Sequence, residues 1–294
     1  MVSLIPRKLW PVQVMVVVVL MSLLPSKASG KRILVVALMS HQSHRITYQP
    51  LLEALAAKGH VVTVISPLKS KKIVRNIREI VAEPAKKETQ MPNVFELKEQ
   101  GREFSSFDSI RKYGRICLES LTLPQLKELR NESFDLIIVP AVFNECGLAY
   151  AHGFNTSTIL FSAGHLPGLI SWPFGNPLTH SYVPLTMTGL SGREMNFYAR
   201  ALNFLFTLAR KLHYYHYCLP FLEESYRRLL NDSTIPPVLD LIRNVSLILV
   251  NTHFSFVPPM PWMPNIVEVG GMHCRPAQAL PQVCANKLNL KFWC

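Results

Sequence analysis

The sequence predicts an α/β fold built on a parallel sheet, and three observations carry that prediction. Short, continuous apolar runs alternate with segments of helical spacing. The first run leads through a polar loop and a helical pattern into a second apolar run, and the same order returns about a hundred residues later, from Asp135. Strand, helix, strand in that order is the parallel crossover unit, because parallel neighbours need a long connection and a helix supplies it.

The first strand is Lys31 to Met39, where Ile33 to Leu38 form an unbroken apolar run suited to burial on both faces. Ser40 to Arg45 reads as a polar loop. A helix follows over about 47 to 58, with Pro50 in its first turn, Leu51, Leu52, Leu55 and Ala56 on one face and Gly59 as the stop. Val61 to Ile65 is the next strand, ended by Pro67. The second unit comprises Asp135 to Val139, a helix near 144 to 152 and Thr158 to Phe161.

Residues 165 to 190 are rich in Pro, Gly and aromatics, including Pro167, Trp172, Pro173, Phe174, Pro177, Tyr182 and Pro184, a composition that suits a loop lining an apolar pocket or touching lipid. From Arg193 to Leu230 helical spacing returns, with Phe197, Ala201, Phe204, Leu205 and Leu208 on one side, a stripe read as core-facing. Ser246 to Asn251 and Ile266 to Val269 are further strands, separated by the prolines 258, 259, 261 and 264. After Pro281 the periodicity fades, and 282 to 294 read as an atypical tail too short to build a domain.

Residues 1 to 30 carry Arg7 and Lys8, an apolar run from Val12 to Leu24 and the small-residue exit Ala28-Ser29-Gly30. This is the pattern of a secretory signal peptide cleaved before Lys31, and the apolar run is short for a membrane span. The expected destination is the endoplasmic reticulum lumen or secretion. Residues 31 to 281 then form one domain, with 49% hydrophobic residues over the chain to fill its core.

The net charge is +12, and +9 once Arg7, Lys8 and Lys27 are lost. A secretory entry and the lack of zinc-finger, RRM or helix-turn-helix patterns argue against a nucleic-acid partner. The densest basic run, Lys69, Lys71, Lys72, Arg75 and Arg78, fits a solvated helix face or loop better than a site for an anionic membrane surface. Six cysteines form neither a CxxC nor a Cys/His cluster with zinc spacing, and the sequence does not choose a disulfide pair. Sequons at Asn131, Asn155, Asn231 and Asn244 fit lumenal glycosylation.

Ligands of open parallel sheets sit outside the carboxyl ends of the strands, which puts the loop carrying His41 and His44 at the site edge. No GxGxxG follows the first strand, and no GxSxG nucleophile elbow occurs. Three stretches identify a family: Ser43-His44-Arg45-Ile46 through Pro50 to Lys58-Gly59-His60; Phe134-Asp135-Leu136-Ile137 with Asn144-Glu145-Cys146; and Asn251-Thr252-His253-Phe254 through Pro264 to Gly270-Gly271. In this order, over residues 31 to 281, they resemble the UDP-glycosyltransferases, of the UDP-glucuronosyltransferase-like insect type.

The resemblance implies the Rossmann-like N-terminal lobe of a GT-B glycosyltransferase, which binds a small lipophilic acceptor while a UDP-sugar serves as co-substrate; neither cofactor nor metal is implied. It maps the general base to His44, with His41 as the rival, because an acceptor hydroxyl is a poor nucleophile until an imidazole takes its proton. The family's acidic partner is expected five residues beyond Asp135, where this sequence has Pro140. Glu145 is the substitute, or else a carboxylate favoured at a helix N-terminus. His41, Phe143, Trp172 and Phe174 are the expected acceptor contacts.

The family's C-terminal UDP-sugar domain and membrane anchor would follow Gly271, and the sequence given does not contain them. The resulting expectation is a truncated form with little activity alone. The alternative is a non-catalytic lipophile binder or a regulatory partner, in a homo- or hetero-oligomer with full-length relatives.

Overall fold

The computed structural model describes residues 30–70, 72–86, 96, 99, 106–185, 195–255, 257 and 259–276. Residues 1 to 29 of the expected signal segment, the tail from 282, Lys71, residues 186 to 190 of the proline-rich stretch, Pro258 and the start of the helical stretch at Arg193 lie outside the described residues.

Seven strands form one parallel sheet: β1 Arg32–Val36, β2 Val61–Ser66, β3 Ile77–Val81, β4 Leu136–Pro140, β5 Thr158–Ser162, β6 Leu247–Val250 and β7 Ile266–Glu268, in the order β3-β2-β1-β4-β5-β6-β7. β1 sits inside the sheet, paired with β2 on one side and with β4 on the other through Ile33↔Leu136. Its side chains alternate between two cores. Leu34 and Val36 enter the larger one, and Ile33, Val35 and Ala37 enter the smaller one beneath α1, Gln42–Ala57. Burial on both faces is the physical reason for the unbroken apolar run.

The further helices with bounds among the described residues are α2 Glu83–Lys86, α3 Ser106–Leu121, α4 Pro124–Leu129, α5 Glu145–His152, α6 Gly168–Ser171, α7 Phe197–His213, α8 Leu219–Leu230 and α9 Val238–Arg243, with a π-helical turn, Tyr214–Cys218, joining α7 to α8. A disulfide ties α3 to α5 through buried Cys117 and Cys146, with Cα atoms 6.1 Å apart.

Three expectations are corrected. The first helix begins at Gln42, so Gln42 to Arg45 are helical rather than loop, and Pro50 lies well inside α1 instead of in its first turn. His41 is extended at the N-cap, and Arg45 N donates to its carbonyl at 3.0 Å, which starts the helix five residues early. Ser40 Oγ and Tyr48 Oη are 3.0 Å apart and both residues are buried, anchoring that first turn. Second, part of the basic run is edge strand β3: Arg78 pairs with Glu132, and Glu79 accepts from Arg45 of α1 and from Ser70 N.

Third, the apolar stripe of α7 faces outward: Phe197 is 88% exposed and Leu205 56%, with Phe204 and Leu208 also exposed. The residue that α7 buries is Asn203. Its amide donates to the carbonyls of His180 at 2.7 Å and Val183 at 2.8 Å and accepts from Leu185 N at 2.7 Å. A loop with unpaired backbone groups must be satisfied by a polar side chain, so the helix turns Asn203 toward it.

Candidate functional site

A cavity of about 390 Å³ opens at the carboxyl edge of the sheet, walled by the start of α1, the residues after β4 and β5, the 163–185 loop and the inner side of α7. Tyr113, Val142, Phe143, Leu169, Leu178, Val183, Leu185 and Met260 make much of its wall apolar. The polar groups on it include His41, His44, His165, Arg210 and Lys211. Such a mixture suits an apolar ligand oriented by a few polar contacts.

Asn144 holds the histidine end together. Its buried amide accepts from Met39 N at 2.8 Å and donates to the carbonyls of Met39 and Val142, each at 2.8 Å. One side chain thereby joins the segment after β1, two residues before His41, to the entrance of α5. Beside it Phe143 adopts a positive φ of 59°, a conformation disfavoured for an aromatic residue, with its ring 4.8 Å from that of Tyr113.

His41 and His44 meet edge to face, with ring centroids 5.8 Å apart, and His41 makes a similar contact with Tyr113 at 5.7 Å. Burial, together with the neighbouring His41, lowers the His44 pKa to about 4. The His44 imidazole is therefore neutral at neutral pH, and a neutral imidazole has an acceptor nitrogen free to take a proton. Burial lowers the His165 pKa as well.

Of the residues picked out in the sequence, His41, His44 and Phe143 come together on the cavity wall. Trp172, Phe174 and Glu145 are not part of that wall. Trp172 stacks beneath Lys211, whose Nζ lies 3.5 Å from the ring centroid, and Phe174 is packed into the larger core. Glu145 is buried and accepts a hydrogen bond from Tyr214 Oη at 2.9 Å, and burial raises its pKa above the usual carboxylate value. Among the described residues no hydrogen bond joins a carboxylate to the His44 ring. Pro140 closes β4 opposite Phe161, and Asp135 is occupied at the strand entrance by Arg32 N at 2.8 Å and Lys31 Nζ at 3.1 Å.

Arg210, Lys211 and Thr207 on α7 also line the cavity, and sequence reasoning passed over them. The available signal was two adjacent cations in a helix otherwise rich in apolar residues.

The family model described as "UDP-glucoronosyl and UDP-glucosyl transferase" matches residues 31–289. The chain belongs to this family. Among its relatives, "UDP-glucosyltransferase 2" of Dactylopius coccus is 28% identical over 91% of this chain and 52% of its own length. "UDP-glucuronosyltransferase 2C1" of Oryctolagus cuniculus is 29% identical over 82% of this chain and 51% of its own. The chain thus spans about half the length of the curated relatives it matches. The crystal structure of CalG4, the calicheamicin glycosyltransferase, superimposes with a TM-score of 0.50 and 13% identity, over 82% of this chain and 51% of that one. That likeness bears on the fold, which is the Rossmann-like half of the two-lobed GT-B architecture.

Proposed function

We propose that this chain is the acceptor-binding lobe of a UDP-glycosyltransferase and that His44 is its general base. The observation carrying this reading is a neutral imidazole on the wall of a largely apolar cavity at the carboxyl edge of a parallel sheet. A lipophilic alcohol or phenol would lie against Phe143, Tyr113 and Leu169, with its hydroxyl donating to His44. As the hydroxyl proton passes to the imidazole, the oxygen bonds to the anomeric carbon of a UDP-sugar. The bond from that carbon to the phosphate oxygen breaks, and UDP leaves with the electron pair. Attack opposite the leaving group inverts the anomeric centre, and the imidazolium then returns its proton to solvent.

A base with a pKa near 4 is weak, but the anionic diphosphate of an arriving donor would raise it toward the range where general bases work well. Lumenal residence is part of the proposal. Its supports are the buried Cys117–Cys146 bridge and the exposure of all four sequon residues, Asn131, Asn155, Asn231 and Asn244, which we propose as glycan acceptors.

One observation favours the non-catalytic reading: Glu145, the substitute for the missing acidic partner, bonds Tyr214, and among the described residues no carboxylate bonds the His44 ring to orient it. The test is to incubate the chain with naphthol and either UDP-glucose or UDP-glucuronate, following naphthol binding by fluorescence and glycoside by mass spectrometry. Glycoside formation abolished by His44→Gln supports transfer; binding without glycoside supports the lipophile binder. Absence of naphthol binding would sink the acceptor reading.

A further inference from the structure

We infer that the acceptor cavity selects lipophiles that carry one anionic group, such as a carboxylate, and that Arg210 is the residue that reads that group; this rests on the acceptor reading above. The lining contains two permanent cations, Arg210 and Lys211, and neither aspartate nor glutamate. Lys211 has a partner already, since its ammonium sits 3.5 Å over Trp172 and 5.9 Å from the ring of Tyr215. Arg210 has no ion pair and no side-chain hydrogen bond among the described residues.

The bland explanation for adjacent cations late in a helix is that they offset the negative end of its dipole. It does not apply here. At Tyr214 the backbone remains right-handed helical and runs on through the π turn into α8, so the carbonyls beside Arg210 belong to a continuing helix. Burial depresses the Arg210 pKa, although a guanidinium keeps its charge at any physiological pH. A partly desolvated, unpaired cation on a largely apolar wall raises the energy of the empty cavity, and an anion brought against it gains a charge-assisted hydrogen bond that a neutral ligand lacks.

His44 in its neutral state offers no positive charge to that anion, which separates the two ends of the ligand by chemistry. A hydroxyl would address the imidazole on α1, and the acidic group would address the guanidinium on α7. The apolar body between them would rest against Leu169 and Leu178.

The experiment compares naphthylacetate with naphthylethanol, two probes of nearly the same size and shape, binding to the wild-type chain and to Arg210→Gln and Arg210→Lys at neutral pH and low salt. The expected result is at least about tenfold tighter binding of the acid by the wild type, with R210Q weakening the acid by about ten- to a hundredfold and the alcohol by less than about twofold. R210K should fall between, and added salt should weaken the acid alone. Retained alcohol binding in R210Q shows that the variant is folded; if it is lost, R210K and the salt series decide. Equal affinity of the wild type for both probes, or an equal loss of both in the variants, overturns the role of Arg210 and leaves the acceptor reading standing. Failure of the wild type to bind either probe overturns both.

Discussion

Replacing Asn144 with Ala should loosen the histidine end of the cavity by an amount that follows from three hydrogen bonds. The side chain serves Met39 N, Met39 O and Val142 O, each at 2.8 Å. Met39 is buried, so truncation leaves its N–H and C=O without partners, whereas Val142 is half-buried and its carbonyl can return to water. Two orphaned buried groups cost about 1–3 kcal/mol each, so about 3 kcal/mol is expected once water has entered the space left by the amide. For a domain of this size that corresponds to a melting point lower by roughly 6–12 °C. Thermal denaturation followed by circular dichroism reads it directly. Asn144→Asp is the sharper comparison: it keeps the shape and the acceptor for Met39 N but points a second oxygen at two carbonyls. It should destabilise at least as much at neutral pH. A melting point for N144A within about 2 °C of wild type would refute the clamp and the argument from orphaned backbone groups together.

Burial raises the Glu145 pKa, so the native state holds that proton more tightly than the unfolded chain does. Its contribution favours the fold below the ordinary carboxylate range and is lost as pH rises through that range to the folded pKa. Glu145→Gln, which can still accept from Tyr214, should therefore raise the urea midpoint at neutral pH and not in acid; a lower midpoint at neutral pH would mean that the ionised carboxylate is in use. For His44 the sign is reversed. With a folded pKa near 4 against the ordinary histidine value of 6.5, its contribution is present above 6.5 and lost as pH falls toward 4. His44→Gln should lose less stability across that window, and an NMR titration of the imidazole should show it neutral at pH 6. Cys117 and Cys146 are 29 residues apart, and opening their bridge should cost about 3–4 kcal/mol, seen as a lower urea midpoint for the double alanine variant under non-reducing conditions.

Strands β1, β2, β4, β5 and β6 were legible because burial on both faces demands short unbroken apolar runs, and Ile33 to Leu38 or Leu136 to Val139 can hardly serve otherwise. β3 was not, because an edge strand tolerates charge: Arg78 and Glu79 have partners on other elements that spacing along the chain does not reveal. The face of α7 was read the wrong way round for a related reason. Its apolar stripe matched a core pattern, while the packing was set by Asn203 meeting three backbone groups of a distant loop.

The site divides similarly. His44 became a candidate through family resemblance and not through any property of an isolated histidine. Arg210 stayed invisible because nothing in helical spacing marks which cation faces a cavity. Glu145 was legible as an acidic residue at a helix start, but its hydrogen-bond partner lies 69 residues away on the π turn.

The position of β1 also sets a timetable. It is the first strand of the sheet to be synthesised, yet its second neighbour, β4, lies about a hundred residues further along the chain. At about 5–20 residues per second, one edge of the β1–β2 pair waits on the order of ten seconds before Leu136 to Ile138 arrive to cover it. Until then a largely apolar strand presents an open edge to any other extended chain. A strand from the middle of the finished sheet is thus, during synthesis, one of its exposed edges.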